Sequence, residues 1–110
     1  MKNENLLIDE KYYIVIEGWM RTKLNLKNNE LLVFAIIHGF TKNADKHEFN
    51  GSLQYLANWC GSTKYCIIKC LKSLVNKNYI IKSEIFKNNV KFCSYTINEE
   101  IEYDYSNMIF

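Results

Sequence analysis

The spacing of apolar positions alternates between strand-like and helix-like periods along the chain. Residues 12–20 (YYIVIEGWM) form a run of β-branched and aromatic side chains that predicts a strand. The polar link over 21–27 leads to a first predicted helix, with Asn28 or Asn29 as cap and Leu32, Ala35, Ile36 and Gly39/Phe40 at helical spacing. It should end near Thr41, before the polar loop KNADKHE, and Phe49 with Asn50 suits a very short strand or turn beside Gly51. Ser52 then caps a short second helix whose inner stripe is Leu53, Leu56, Ala57 and Cys60, and Gly61 breaks it. Ser62 or Thr63 caps a third, with Ile67, Cys70, Leu71 and Leu74 facing inward. Asn78 fits the left-handed position at its end. Two strand-like runs follow, residues 79–86 and 90–97, separated by Lys87, Asn88 and Asn89, which predicts a hairpin.

The most informative spacing is Ala57, Gly61 and Ile67. Two helices joined by a tight turn need a small residue where they touch, a glycine where φ is positive, and an aliphatic residue that seats the second helix. These three positions supply them in that order. Strand, helix, short helix, tight turn, helix and hairpin is the order of a winged helix-turn-helix. The expected fold is therefore α+β, with three helices, a C-terminal hairpin wing and an extra N-terminal strand. The expected core is 12–97, flanked by arms over 1–11 and 98–110.

Charge sharpens this picture. The chain of 110 residues carries a formal +2, from 14 basic and 12 acidic residues, which excludes a strongly basic tail or an acidic solvating segment. Residues 62–92 nevertheless hold seven lysines against Glu84 alone, so this segment is +6 and the remainder −4. Lysines gathered on one helix and a hairpin match a phosphate-binding surface. The outward set on the third helix is Ser62, Thr63, Lys64, Tyr65, Ile68, Lys69 and Lys72. It lacks the Arg, Asn or Gln that pair bidentately with base edges. The hairpin tip, Lys87, Asn88, Asn89 and Lys91 with Lys82 behind it, suits insertion into a minor groove. Turn chemistry alone also explains the two asparagines.

The run SLQYLANWCGSTKYCIIKCLKSLVNKNYIIKSE resembles the helix-turn-helix core of winged-helix proteins from phages and plasmids of low-GC Gram-positive bacteria. The preceding KLNLKNNELLVFAIIHGFTK is similar to the first helix of phage replisome organisers. A looser resemblance is to the accessory proteins that bind the transfer origin of clostridial conjugative plasmids. Many such proteins carry Arg on the third helix, where this chain has Lys64 and Lys69. The resemblance implies a double-stranded-DNA-binding protein of a mobile element that marks an origin of transfer or replication and recruits a relaxase or replication protein. A transcriptional regulator, or a winged-helix adaptor that does not bind DNA, is the alternative. Ile68 and the arginine-poor third helix favour the adaptor.

Other chemistry is weakly represented. Cys60, Cys66, Cys70 and Cys93 lack zinc-site spacing and read as reduced apolar fillers. His38 and His47 have no partners at catalytic or ligand spacing, and no phosphate loop or nucleophile motif occurs. Neither an enzyme nor a cofactor is expected. Trp19, Trp59, Tyr12, Tyr55, Tyr79 and Phe92 read as core aromatics rather than stacking platforms. The opening MKNENLLIDEK is polar and acidic, unlike a secretory leader, and no apolar run is long enough to span a bilayer, so a cytoplasmic location off the membrane is expected. The N-terminal strand and the tail Met108, Ile109, Phe110 add apolar surface that a homodimer would cover.

Overall fold

The computed structural model describes residues 8–43 and 47–101. Four helices, α1 (Gly18–Thr22), α2 (Asn28–Thr41), α3 (Leu53–Cys60) and α4 (Lys64–Asn76), precede a hairpin of β1 (Ile80–Lys87) and β2 (Val90–Ile97). Residues 99–101 are helical as far as the described residues go, and the Glu100 N–H donates to Asn98 Oδ1 at 3.1 Å. The result is an α+β arrangement with a two-stranded antiparallel hairpin, compatible with a winged helix. Among the described residues, no helix is long and apolar enough to cross a membrane.

The core is organised around α2, which is apolar on most of its circumference. Val33, Phe34 and Ile37 are fully enclosed, and Ala35, Ile36 and His38 are nearly so. The deepest face is thus offset from the expected Leu32, Ala35, Ile36 and Gly39/Phe40 series, and Gly39 is exposed. A helix greasy all round gives no clean periodic signal, so the element was legible but its innermost face was not. Trp19 meets Phe34 edge-on at 5.8 Å, and Phe40 meets Phe49 at 5.1 Å near the other end. Glu30 clamps the start of α2 to α4, accepting from Ser73 Oγ at 2.7 Å and pairing with Lys77 Nζ at 3.1 Å. At the other end Thr41 Oγ1 donates to the Ile37 carbonyl and accepts the Ile97 N–H, tying the base of β2 to the helix.

The segment from α3 through its turn to α4 follows the sequence closely. The Ser52 hydroxyl accepts from the Tyr55 N–H at 3.0 Å and the Thr63 hydroxyl from the Cys66 N–H at 3.2 Å. Gly61 sits at φ 60°, and the Ser62 N–H reaches back to the Ala57 carbonyl while the Gly61 N–H reaches Asn58, a Schellman closure. The same arrangement recurs after α4. Asn78 has φ 63°, Tyr79 N–H bonds to the Leu74 carbonyl and Asn78 N–H to Val75.

The expectation of three helices and an N-terminal strand is corrected in two respects: α1 and the helical residues at 99–101 are additional helices, and the N-terminal strand does not form. Residues 12–17 form no strand, and Gly18 starts α1 where residues 12–20 were predicted to be extended. A strand there needs an edge to pair with. Beside β2 that place is taken by Phe49, which exchanges two backbone hydrogen bonds of 2.8 Å with Tyr95. Ile14 therefore packs on the core while Tyr12, Tyr13, Val15 and Ile16 face solvent. Tyr12 and Phe92, expected in the core, are 61% and 53% exposed; Trp19 is buried, and Tyr55, Trp59 and Tyr79 are partly so. The tail Met108, Ile109, Phe110 lies outside the described residues.

A Cβ at Gly61 meets no neighbour within 4 Å, so substitution there is opposed by backbone conformation alone. Gly61→Ala is expected to cost about 1 kcal/mol and Gly61→Asn less than that, read as the shift in the thermal or urea midpoint. Equal costs for the two would contradict this account.

Candidate nucleic-acid interface

The exposed side of α4 is set by its buried side. Ile67, Leu71 and Leu74 point into the core, which leaves Lys64, Ile68 and Lys72 in one outward row, flanked by Tyr65 and Lys69. These five side chains share one solvent face, as predicted. The Lys69 ammonium lies 5.4 Å from the centre of the Tyr65 ring, which holds both side chains along the helix surface. Ser62 is partly buried, and the Thr63 hydroxyl is occupied as the cap of α4. Both therefore act first on the helix terminus and not on a ligand.

The hairpin divides the remaining lysines. Its ladder runs from Ile80↔Ile97 to Lys87↔Val90 and closes through Asn88 and Asn89, at φ 52° and 65°. Two consecutive left-handed residues are what a type I′ turn demands, so the backbone accounts for both asparagines. Alternation along the strands puts Lys82, Glu84, Phe86, Lys91, Cys93 and Tyr95 on one face. This face looks toward α4 across a groove lined mainly by Leu53, Ile68, Leu71, Val75 and Tyr95, with Lys72 and Lys82 on its walls. Lys87 falls on the opposite face with Ile85 and Phe92. The structure thus brings Lys72 and Lys82 to one groove, sets Lys91 on the same hairpin face beside Glu84, and turns Lys87 to the other face.

Glu84 moderates the charge of the hairpin face it shares with Lys82 and Lys91. Its carboxylate pairs with Lys82 at 3.2 Å and Lys91 at 3.5 Å. The hydrogen bond from Lys82, then the charge of Lys91, holds the Glu84 carboxyl below the usual carboxylate range, and the same contact raises Lys82. Because Glu84 is depressed, its stabilising pairing is present above the ordinary carboxylate pKa and is lost as pH falls through the lowered value. Lys77 belongs elsewhere, at Glu30 on α2. The uninterrupted cationic surface is therefore Lys64, Lys69 and Lys72 on α4, and the wing adds a mixed Lys–Glu–Lys cluster.

Sequence reasoning missed the apolar floor of the groove and the clamp by Glu84. The clamp was detectable in principle. Lys82 and Glu84 share a strand face, and a two-residue turn puts Lys91 diagonally opposite Glu84.

The cysteines, all free, show the local field at α4. Hydrogen bonds from the Thr63 and Ser62 side chains lower the Cys66 thiol, whereas burial pushes Cys60 up to about 11 and raises Cys70. No group of three or more His, Cys, Asp or Glu suited to a metal occurs among the described residues. Since the thiolate is the nucleophile, Cys66 should alkylate about tenfold faster or more than Cys60 near neutral pH, measured by peptide mass spectrometry after iodoacetamide. Faster modification of Cys60 would reverse this ordering. Comparison of the chain with known families, with curated proteins and with solved structures found no match in any of the three.

Proposed function

We propose that the chain is a winged-helix protein that binds double-stranded DNA, with α4 lying against the duplex and the hairpin reaching an adjoining groove. The observation that carries this reading is the outward row of Lys64 and Lys72 with Lys69 beside it, on a helix held by two capping motifs. Three exposed lysines on one helix face can neutralise several phosphates of a duplex at once, which supports this reading. Together with the resemblance to phage and plasmid proteins, this supports an accessory role at an origin of transfer or replication, where the protein marks the site for a relaxase or replication protein.

Lys64, Lys69 and Lys72 act chiefly on phosphates. Lys82 and Lys91 contribute less than their number suggests, because Glu84 neutralises part of their charge. At the tip, Asn88 and Asn89 stand at the end of eight-residue strands, about 26 Å from the hairpin base, with Lys87 beside them on the face turned away from α4. That reach allows contact with a groove that α4 does not enter.

A second reading has its own support. The groove between α4 and the wing is largely apolar and Ile68 is 37% exposed beside it, which fits a protein partner better than a phosphate backbone.

Fluorescence anisotropy with a labelled duplex over a salt series separates the two readings. The DNA reading expects binding that weakens steeply with salt, and Ala at Lys64, Lys69 and Lys72 together should reduce the log–log slope by about 3. Glu84→Gln should tighten binding about threefold by releasing Lys82 and Lys91. Absence of duplex binding at low salt, or binding indifferent to salt, favours the adaptor. The wing is tested by Asn88→Gly and Asn89→Gly, which keep the positive φ while removing both amides. Greater loss of sequence discrimination than in Lys69→Ala is expected, and the opposite ranking excludes base reading by the wing.

A further inference from the structure

The hairpin stands away from the body from Ile81 to Phe92, where every residue is exposed. A two-stranded ribbon in water is marginal by itself, and its solvent faces are ordinarily polar. Here the face turned away from α4 carries Ile81, Ile85, Val90 and Phe92 at 50–55% exposure, separated by Ser83, Ser94 and Thr96. This is a strip of half-exposed apolar side chains and small polar ones, free of charge except for Lys87 at its tip end. Phosphates have nothing to pair with on it, apart from Lys87 at the tip.

The charges at its borders identify the occupant. Lys87 lies at the tip end, and Glu48 flanks the base end, because Phe49 pairs with Tyr95 and sets Glu48 beside the same face. Ile85 and its register partner Phe92 lie between them. A two-fold axis through the Ile85–Phe92 pair turns one wing end for end over another. It then brings Lys87 of each copy toward the base, and Glu48, of the other.

We infer that the outer face of the wing is a homodimer interface, in which two hairpins stack back to back through Ile85 and Phe92 with Lys87 of each copy facing Glu48 of its partner. The contact is isologous, as a closed pair requires. Sheets stacked in this way lie about 10 Å apart, a distance that interdigitated Ile and Phe side chains fill. A contact confined to these strips is smaller than a standard interface, so the pair is a weak, concentration-dependent one. The hairpin face that looks toward α4 stays outside this contact, so the contact does not bring the lysines of the two α4 helices against one another.

Sedimentation equilibrium of the full chain from about 5 to 200 µM tests the inference. The mass should rise toward twice that of the chain. Phe92→Lys and Ile85→Lys should hold it at the monomer value, whereas Tyr13→Lys, in the other exposed apolar segment, should leave association unchanged. Glu48→Lys should weaken association about tenfold, and adding Lys87→Glu to it should restore the original constant, a rescue that misfolding does not produce. A monomer throughout the range overturns the proposal. So does association lost in Tyr13→Lys but retained in Phe92→Lys, or a charge reversal without rescue. None of these outcomes depends on whether the chain binds DNA.

Discussion

A helix that is apolar around most of its circumference has no face to offer water, and α2 is such a helix. Its enclosure is the constraint from which the rest follows. With Val33, Phe34 and Ile37 at zero exposure, other elements must cover it on several sides, and α1, α3, α4 and the base of the hairpin do so. The polar contacts at its two ends then fix directions as well as proximity. Glu30 fastens α4 through Ser73 and Lys77, and Thr41 fastens β2 through the Ile97 backbone. Hydrogen bonds of this kind contribute modestly each, but they decide where the wing leaves the body.

From that arrangement the outer surface divides by chemistry. The inward seating of Ile67, Leu71 and Leu74 leaves lysines on the far side of α4. The two-residue turn fixes the register of the hairpin, so that Lys82 and Lys91 look toward α4 while Ile85 and Phe92 look away. One protruding ribbon thus presents a side with Lys82, Glu84, Phe86 and Lys91 and a side that is uncharged except for Lys87. Glu84 makes the charged side nearly balanced at its centre, so the net positive potential is concentrated on the helix.

Much of this was legible from residue order because it is decided locally. Ser52 and Thr63 cap, Gly61 and Asn78 take left-handed geometry, and Asn88 and Asn89 make a turn, each for reasons contained within a few residues. Residues 12–20 show where local reasoning stops. Their β-branched and aromatic character favours an extended backbone, yet a strand exists only with a partner, and Phe49 occupies the edge of β2 at Tyr95. The same limit applies to the candidate site. The lysine-rich segment is visible in the sequence, but the separation of Lys87 from Lys82 and Lys91 appears only when strand parity is known. The fate of Lys77 depends on Glu30, some 47 positions away.

The tight closure at Asn88 and Asn89 has a consequence for how such a wing can change over time. With only two residues in the loop, an insertion of one residue needs a different turn, such as a three-residue loop closed by a bulge; without one it displaces β2 by one step along β1. Every side chain on β2 then changes sides, and Lys91 trades places with Phe92. Length variation at this loop is therefore confined to steps that preserve parity, unless a bulge takes up the odd residue.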